Sequence, residues 1–373
     1  MITAVVMVGA LEEPIEPVGW VRGAQRAAAQ DLLEQLSKQD LIDKVIVVSP
    51  STADLDIGDN HDFLTSDEGP VHMGRWLVKI VEKHSVERLL YFGGGSAPLV
   101  SDQLLTEIVE KLAAEPEGVI TNNRFASDWA GITPAKSITK WTERIPQDNM
   151  LGWVLSTEAG LPIEDLPPSA ASRLDIDTPS DLMTLTLHPH LKSYLRRYLS
   201  QISLDTKTIQ SILEVMRQQA SQLFISGRLG PDAWQAINRS TQSWIRVLSE
   251  ERGMVSSGRY ARGEVFSILG TLVESMGPAG FFDMIAGHSQ GALIDNRVLL
   301  AHRGKWPSEA DRFASDLGMV DQIKDPWLRE LSLAAKDAPI PVIMGGHGLL
   351  AGGLFALCEI LQHHDGFRPE SFP

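Results

Sequence analysis

The sequence predicts a three-layer α/β fold with a doubly wound, mostly parallel sheet over residues 1–190, followed by a mostly α-helical domain over residues 191–373. Two patterns and one charge asymmetry lead there. Short β-branched apolar runs alternate with helix-period segments through the first half, and strand candidates thin out after His188-Pro189-His190. The charge changes at the same place: residues 1–190 carry 14 Lys and Arg against 29 Asp and Glu, whereas residues 191–373 carry 19 of each.

The elements follow in order. Ile2–Val8 reads as a buried parallel strand, Gln25–Gln39 as a helix through Ala28, Leu32, Leu33 and Leu36, and Val45–Val48 as a second strand ended by Ser49-Pro50. Strand, helix, strand within about fifty residues is a βαβ unit with a right-handed crossover. The alternation continues with a helix at Met73–Lys83, a strand at Arg88–Phe92, a helix at Ser101–Ala113 and a strand at Gly118–Thr121. In such a sheet the ligand crevice lies at the strand carboxyl ends. These are Gly9–Gly23, Ser49–Asp59, Gly93–Pro98 and Asn122–Pro134. Further on, Thr178 is placed to cap a helix that begins at Pro179, with Asp181 in its positive first turn. Beyond residue 190, Leu191–Leu199, Thr206–Leu223 and Asp232–Ser249 show helical spacing, and Pro341–Met344 is the one strand candidate.

Composition narrows the function classes. The chain has a formal net charge of −15, and its acidic first half repels polyanions, so nucleic acid is not the expected partner. No apolar run reaches membrane-spanning length and the first residues lack a signal-peptide pattern, so the expectation is a cytoplasmic protein without membrane contact. The single cysteine, Cys358, sits in an apolar run and reads as a buried thiol.

Three motifs, in order, resemble the phospholactate guanylyltransferases and molybdenum-cofactor nucleotidyltransferases, which share the glycosyltransferase-A type (nucleotide-diphospho-sugar transferase-like) fold. They are the opening strand-helix-strand ending at Val45-Ile46-Val47-Val48-Ser49-Pro50, then Leu89-Leu90-Tyr91-Phe92 leading to Ala97-Pro98-Leu99, and finally Leu174-Asp175-Ile176-Asp177-Thr178-Pro179-Ser180-Asp181-Leu182. The last is a close match to the family's Asp-x-Asp-Thr-Pro-x-Asp-Leu. The resemblance implies transfer of a nucleoside monophosphate from a nucleoside triphosphate to a small phosphorylated acceptor, with Mg²⁺ held by Asp177 and with Asp175 beside it as a second catalytic carboxylate. Two departures stand out. The family's aspartate before x-Pro-Leu falls at Ser96, and the opening loop carries Glu12, Glu13 and Glu16 where a glycine-rich cradle and a lysine are expected. The nucleotide-binding candidates are Gly9, Arg22, Arg26, the turn Gly93-Gly94-Gly95-Ser96 as a backbone phosphate cradle, and Asn122 with Asn123. A transferase fold retained as a binding or assembly module is the alternative that the Ser96 departure raises.

The second half holds one further catalytic pattern. Gly287-His288-Ser289-Gln290-Gly291 matches the Gly-x-Ser-x-Gly nucleophile elbow, which would make Ser289 the nucleophile of a hydrolase if a strand preceded it. Arg252, Arg259 and Arg262 cluster among glycines as a candidate anion-binding loop, and Gly345-Gly346-His347-Gly348 follows the predicted strand.

Overall fold

A computed structural model describes residues 1–9, 15–50, 55–56, 61–66 and 72–365, and the chain divides into two compact units. The first is built from β1 (Ile2–Met7), Arg22–Asp175 and Leu191–Tyr198. Its elements are α1 (Val18–Leu36) from Arg22 onward, β2 (Ile42–Ser49), β3 (His61–Thr65), α2 (Met73–Lys83), β4 (Arg88–Gly93), α3 (Asp102–Ala114), β5 (Gly118–Thr121), β6 (Trp129–Thr133), the short α4 (Leu151–Trp153), β7 (Ile163–Asp165) and α5 (Ala170–Arg173). The sheet order is β3-β2-β1-β4-β6-β5-β7, and only β6 runs antiparallel to its neighbours. This is the doubly wound, mostly parallel sheet that the alternation predicts.

The period-two alternation of the strands sorts side chains to the two faces. On one face Ala4 and Val6 of β1 meet Leu32, Leu33 and Leu36 of α1 and Leu105, Ile108 and Leu112 of α3. On the other, Val5, Ile46 and Leu89 pack against Leu77, Ile80 and Val81 of α2. Two separate cores, one per face, make the three layers.

The structure adds β3, β6 and β7 to the expected strands. In β6 the reason it was hidden is local. Gly131 breaks the apolar run, and a Cβ there would come within 3.2 Å of Leu112, so the glycine lets α3 lie close to the sheet.

The second unit comprises residues 14–21, 176–190 and 199–373. The unit boundary therefore falls between Asp175 and Ile176, inside the aspartate motif. The helix α6 (Pro179–Leu187) belongs to the second unit, and α7 (Ser193–Leu199) lies mainly in the first. Asp31 of α1 accepts the backbone N–H groups of Tyr194 and Leu195 at 3.0 and 2.9 Å, which gives α7 its N-terminal anion.

Helices dominate the second unit as expected: α8 (Lys207–Arg217), α9 (Pro231–Ser240), α10 (Ile268–Ala286), α11 (Asn296–His302), α12 (Glu309–Asp316), α13 (Pro326–Lys336), α14 (His347–Leu350) and α15 (Gly352–Asp365). They surround a four-stranded parallel sheet that the helical spacing did not suggest: β8 (Gln222–Gly227), β9 (Trp244–Ser249), β10 (Gly291–Asp295) and β11 (Val342–Gly345), in the order β11-β10-β8-β9. Only β11 was anticipated. Trp244-Ile245-Arg246-Val247-Leu248 has apolar residues at spacings of one, three and four, so a short edge strand and a helix read alike there. Phe281, Phe282 and Ile285 of α10 and Leu328 and Leu331 of α13 form the core on one face of this sheet. Among the described residues no helix is long and apolar enough to cross a membrane. Cys358 is buried, and that burial pushes its thiol up to about 12.

Candidate active site

In the first unit the carboxyl end of β4 forms the tight turn Gly93-Gly94-Gly95-Ser96. None of the three glycines has a positive φ; the left-handed residue is Ala97, at φ 52°. The glycines serve close approach. A Cβ on Gly94 would stand 3.0 Å from both the Met7 carbonyl oxygen and Val8 Cα, so the exits of β4 and β1 touch backbone to backbone. Ser96 is buried, its backbone N–H and its hydroxyl both donating to the Gly93 carbonyl at 3.1 and 2.8 Å. Where the aspartate of the resembled family would stand, a hydroxyl instead closes the turn.

Asp175 pairs with Ser96 through an isolated antiparallel bridge. The acidic end of the motif is thereby held against the glycine turn. Two more carboxylates face the same strand end. The Tyr91 hydroxyl donates to Asp148 Oδ2 at 3.1 Å, and burial together with Asp148, Asp175 and Asp128 drives the phenol well above its usual range. Burial also raises Asp148. Tyr91 lies in the motif Leu89-Leu90-Tyr91-Phe92 without a chemical role read from it, and Asp148 lies in none; β4 is apolar and buried along its whole middle, so nothing local marks Tyr91 for this site.

Asn122 is buried and its side chain is spent on Asp128: Nδ2 donates to Asp128 Oδ2 at 2.6 Å, and the Asp128 N–H returns to Asn122 Oδ1 at 3.0 Å. It positions a carboxylate rather than presenting an amide to solvent. Asn123 Oδ1 accepts the Phe125 N–H at 3.1 Å, as in a self-capped turn. Gly9 is exposed with open space around it, Arg22 donates to Gln25 at 3.3 Å, and Arg26 is half-buried on α1. Glu12 and Glu13 of the opening loop lie outside the described residues.

Asp177, in the second unit, is exposed. The turn that carries it is organised by Asp181, whose Oδ2 accepts the N–H groups of Asp177 and Thr178 at 3.1 and 2.7 Å and the Thr178 hydroxyl at 3.0 Å. This is the reach-back half of a capping box, as the Thr178-Pro179-Ser180-Asp181 pattern predicts. Asp181 Oδ1 has no hydrogen-bond partner among the described residues, and burial, aided by the Asp177 carboxylate, raises this group to about 7.

The elbow reading of Ser289 is corrected by the local order of elements. A nucleophile elbow runs strand, turn, helix, whereas here α10 precedes the turn and β10 follows it. Ser289 is buried at the amino end of β10, beside a cavity of about 300 Å³ lined by Phe224, Arg246, Met284, Ile285 and His288. No strand presents its hydroxyl to an oxyanion hole.

Similarity to known structures falls on nucleotidyltransferases, over about the first 55% of the chain. A cytidylyltransferase from Leptospira borgpetersenii serovar Hardjo-bovis is 16% identical over 57% of this chain and 95% of its own, with a TM-score of 0.38. A nucleotidyl transferase from Methanothermobacter thermautotroptrophicus is 16% identical over 54% of this chain and 98% of its own, with a TM-score of 0.35. A CMP:2-keto-3-deoxy-manno-octonic acid synthetase, solved with CTP, is 11% identical over 49% of this chain and 96% of its own, with a TM-score of 0.35. No protein-family model and no curated protein matches the sequence.

Proposed function

We propose that the first unit binds a nucleotide or a nucleotide-like phosphate ligand at the carboxyl ends of β1 and β4, and that its reaction is nucleotidyl transfer to a small phosphorylated acceptor. The pairing of Asp175 with Ser96 carries this reading. It sets an acidic segment against a glycine turn at the end of a doubly wound sheet, where ligands of such sheets are bound. In the proposed reaction an acceptor phosphate oxygen attacks the α-phosphorus, a new P–O bond forms and pyrophosphate leaves. Backbone N–H groups of the turn would face the phosphates, and Asn122 would hold Asp128 in place beside them.

The residues do not fit a tightly held Mg²⁺ as they stand. A hard dication takes six or more oxygen ligands, of which carboxylates are the strongest. Ser96 spends its hydroxyl proton on Gly93 and supplies no carboxylate at the position where the resembled family has one. That favours a second reading, in which the unit binds its nucleotide and acts as a binding or assembly module.

One experiment separates the two. The purified chain is incubated with GTP, CTP, ATP or UTP, with and without Mg²⁺ and a phosphorylated acceptor, and both melting temperature and pyrophosphate are measured. A thermal shift with pyrophosphate release, lost about 100-fold or more in Asp175→Asn, is the transferase outcome. A shift without release is the module outcome, and no shift with any nucleotide removes both.

A further inference from the structure

The sheet of the second unit is itself doubly wound. From β8 the chain moves to its neighbour β9, then crosses to β10 on the other side of β8 and continues outward to β11. The direction of winding reverses between β8 and β10, and the crevice outside that reversal is where open parallel sheets bind ligands.

Each of the four strands delivers a charged or polar side chain to that end. Arg228 follows β8, Arg252 follows β9, Asp295 ends β10 and His347 follows β11. Arg228 grips Asp295 through Nε to Oδ2 at 2.6 Å and through a second guanidinium nitrogen to Oδ1 at 3.1 Å. Burial alone would raise Asp295, but Arg228 outweighs it and holds the carboxylate below its usual range. The approach is tight because Gly227 has no side chain: a Cβ there would fall 2.4 Å from Asp295 Cβ.

Ion pairing decides which cation at this end is open to a ligand. Asp295 is neutralised by Arg228, Glu251 by Arg259 and Glu264 by Arg262, while Glu250 accepts from Ser267 and the Ile268 N–H. Arg252 is exposed beside Gly230 and makes no side-chain hydrogen bond or ion pair among the described residues. Four guanidiniums and four carboxylates thus balance in charge, but Arg252 is the one guanidinium of the four without a carboxylate partner among the described residues. Its field also reaches the His347 imidazole, which lies against the Arg228 backbone. An unpaired guanidinium beside a hydrogen-bonding imidazole and a rigid Arg-Asp pair suits the fork geometry of a phosphate oxyanion.

We propose that the carboxyl end of the second sheet is a separate binding site for a phosphate group on a small molecule, with Arg252 as its primary anchor, His347 as a hydrogen-bonding wall and the Arg228–Asp295 pair as its floor. The test is calorimetric titration of the full chain with inorganic phosphate at low ionic strength, with acetate as the carboxylate control. Phosphate is expected to bind, Arg252→Glu to weaken it at least tenfold, His347→Ala to weaken it severalfold, and the same charge reversal at the exposed Arg329 of α13, Arg329→Glu, to leave it unchanged. Arg252 makes no internal contact that folding needs, so the variant remains a fair reporter. Failure of phosphate to bind the wild type, equal binding by Arg252→Glu, an equal loss in Arg329→Glu or stronger binding of acetate than phosphate overturns the proposal.

Discussion

Single residues in this protein draw their properties from burial more than from their neighbours in sequence. Asp181 is the clearest case, raised from 3.8 to about 7 by burial and by Asp177. A raised carboxyl pKa means that the folded chain keeps a proton the unfolded chain gives up, so this contribution to stability is whole below about pH 4 and is lost as pH rises through about 7. The melting temperature of the wild type, compared with Asp181→Asn, is expected to decline between about pH 5 and about pH 8, and parallel curves would show that the carboxyl does not titrate there. Arg297 and Asp316 form a second buried dependency, joined by two hydrogen bonds of 2.7 and 2.6 Å. Arg297→Leu leaves a buried carboxylate uncompensated and is expected to cost about 3–5 kcal/mol in chemical denaturation, most of it regained in the double variant with Asp316→Leu. The sequence names Asp175, Asp177 and Asp181 through a motif and Asn122 as a polar strand-end residue, but it has no means of pairing Tyr91 with Asp148 or Asn122 with Asp128. Those are assembled from separate loops and strands, and no spacing records them.

At the scale of elements, the strand exits are where sequence and geometry meet. Ser101, which the spacing puts at the start of the helix α3, is its cap instead and accepts the Leu104 N–H at 3.1 Å. Glycines at two exits do a different job from each other. Gly94→Ala presses a Cβ against the backbone of β1 without violating φ and is expected to cost about 1–3 kcal/mol. Gly227 has a φ of 129°, so Gly227→Ala meets both backbone strain and Asp295, and its loss of stability in urea melts should exceed that of Gly94→Ala. Equal losses at the two positions would deny the difference in cause. Long helices and buried parallel strands were legible because their apolar periods are unmistakable. β3, β6, β8 and β9 were not, since each is six residues or fewer and its pattern fits more than one period.

At the scale of the whole chain, two α/β units are threaded through one another in sequence. The helix α6 sits in the second unit, its Ser180 hydroxyl so close to the exit of β11 that a Cβ on Gly345 would come within 2.6 Å of it. The segment Leu191–Tyr198 sits in the first, where Tyr198 fills the space a Gly23 side chain would need. A fragment of residues 199–373 is therefore expected to melt lower and bind more hydrophobic dye than one of residues 176–373, because it lacks the buried Leu182, Met183 and Leu185 of α6. Identical melting of the two fragments would mean that α6 is dispensable to the second unit.

The sequence alone determined the layered sheet of the first unit, the capping turn at Thr178–Asp181 and the buried thiol, all of which depend on local period, short-range hydrogen bonding or composition. Only the tertiary structure decided that the second half encloses a parallel sheet, that Ser96 closes a turn against Asp175, and that four strand exits bring Arg228, Arg252, Asp295 and His347 together. Those arrangements rest on contacts between residues far apart in the chain, which no local pattern encodes.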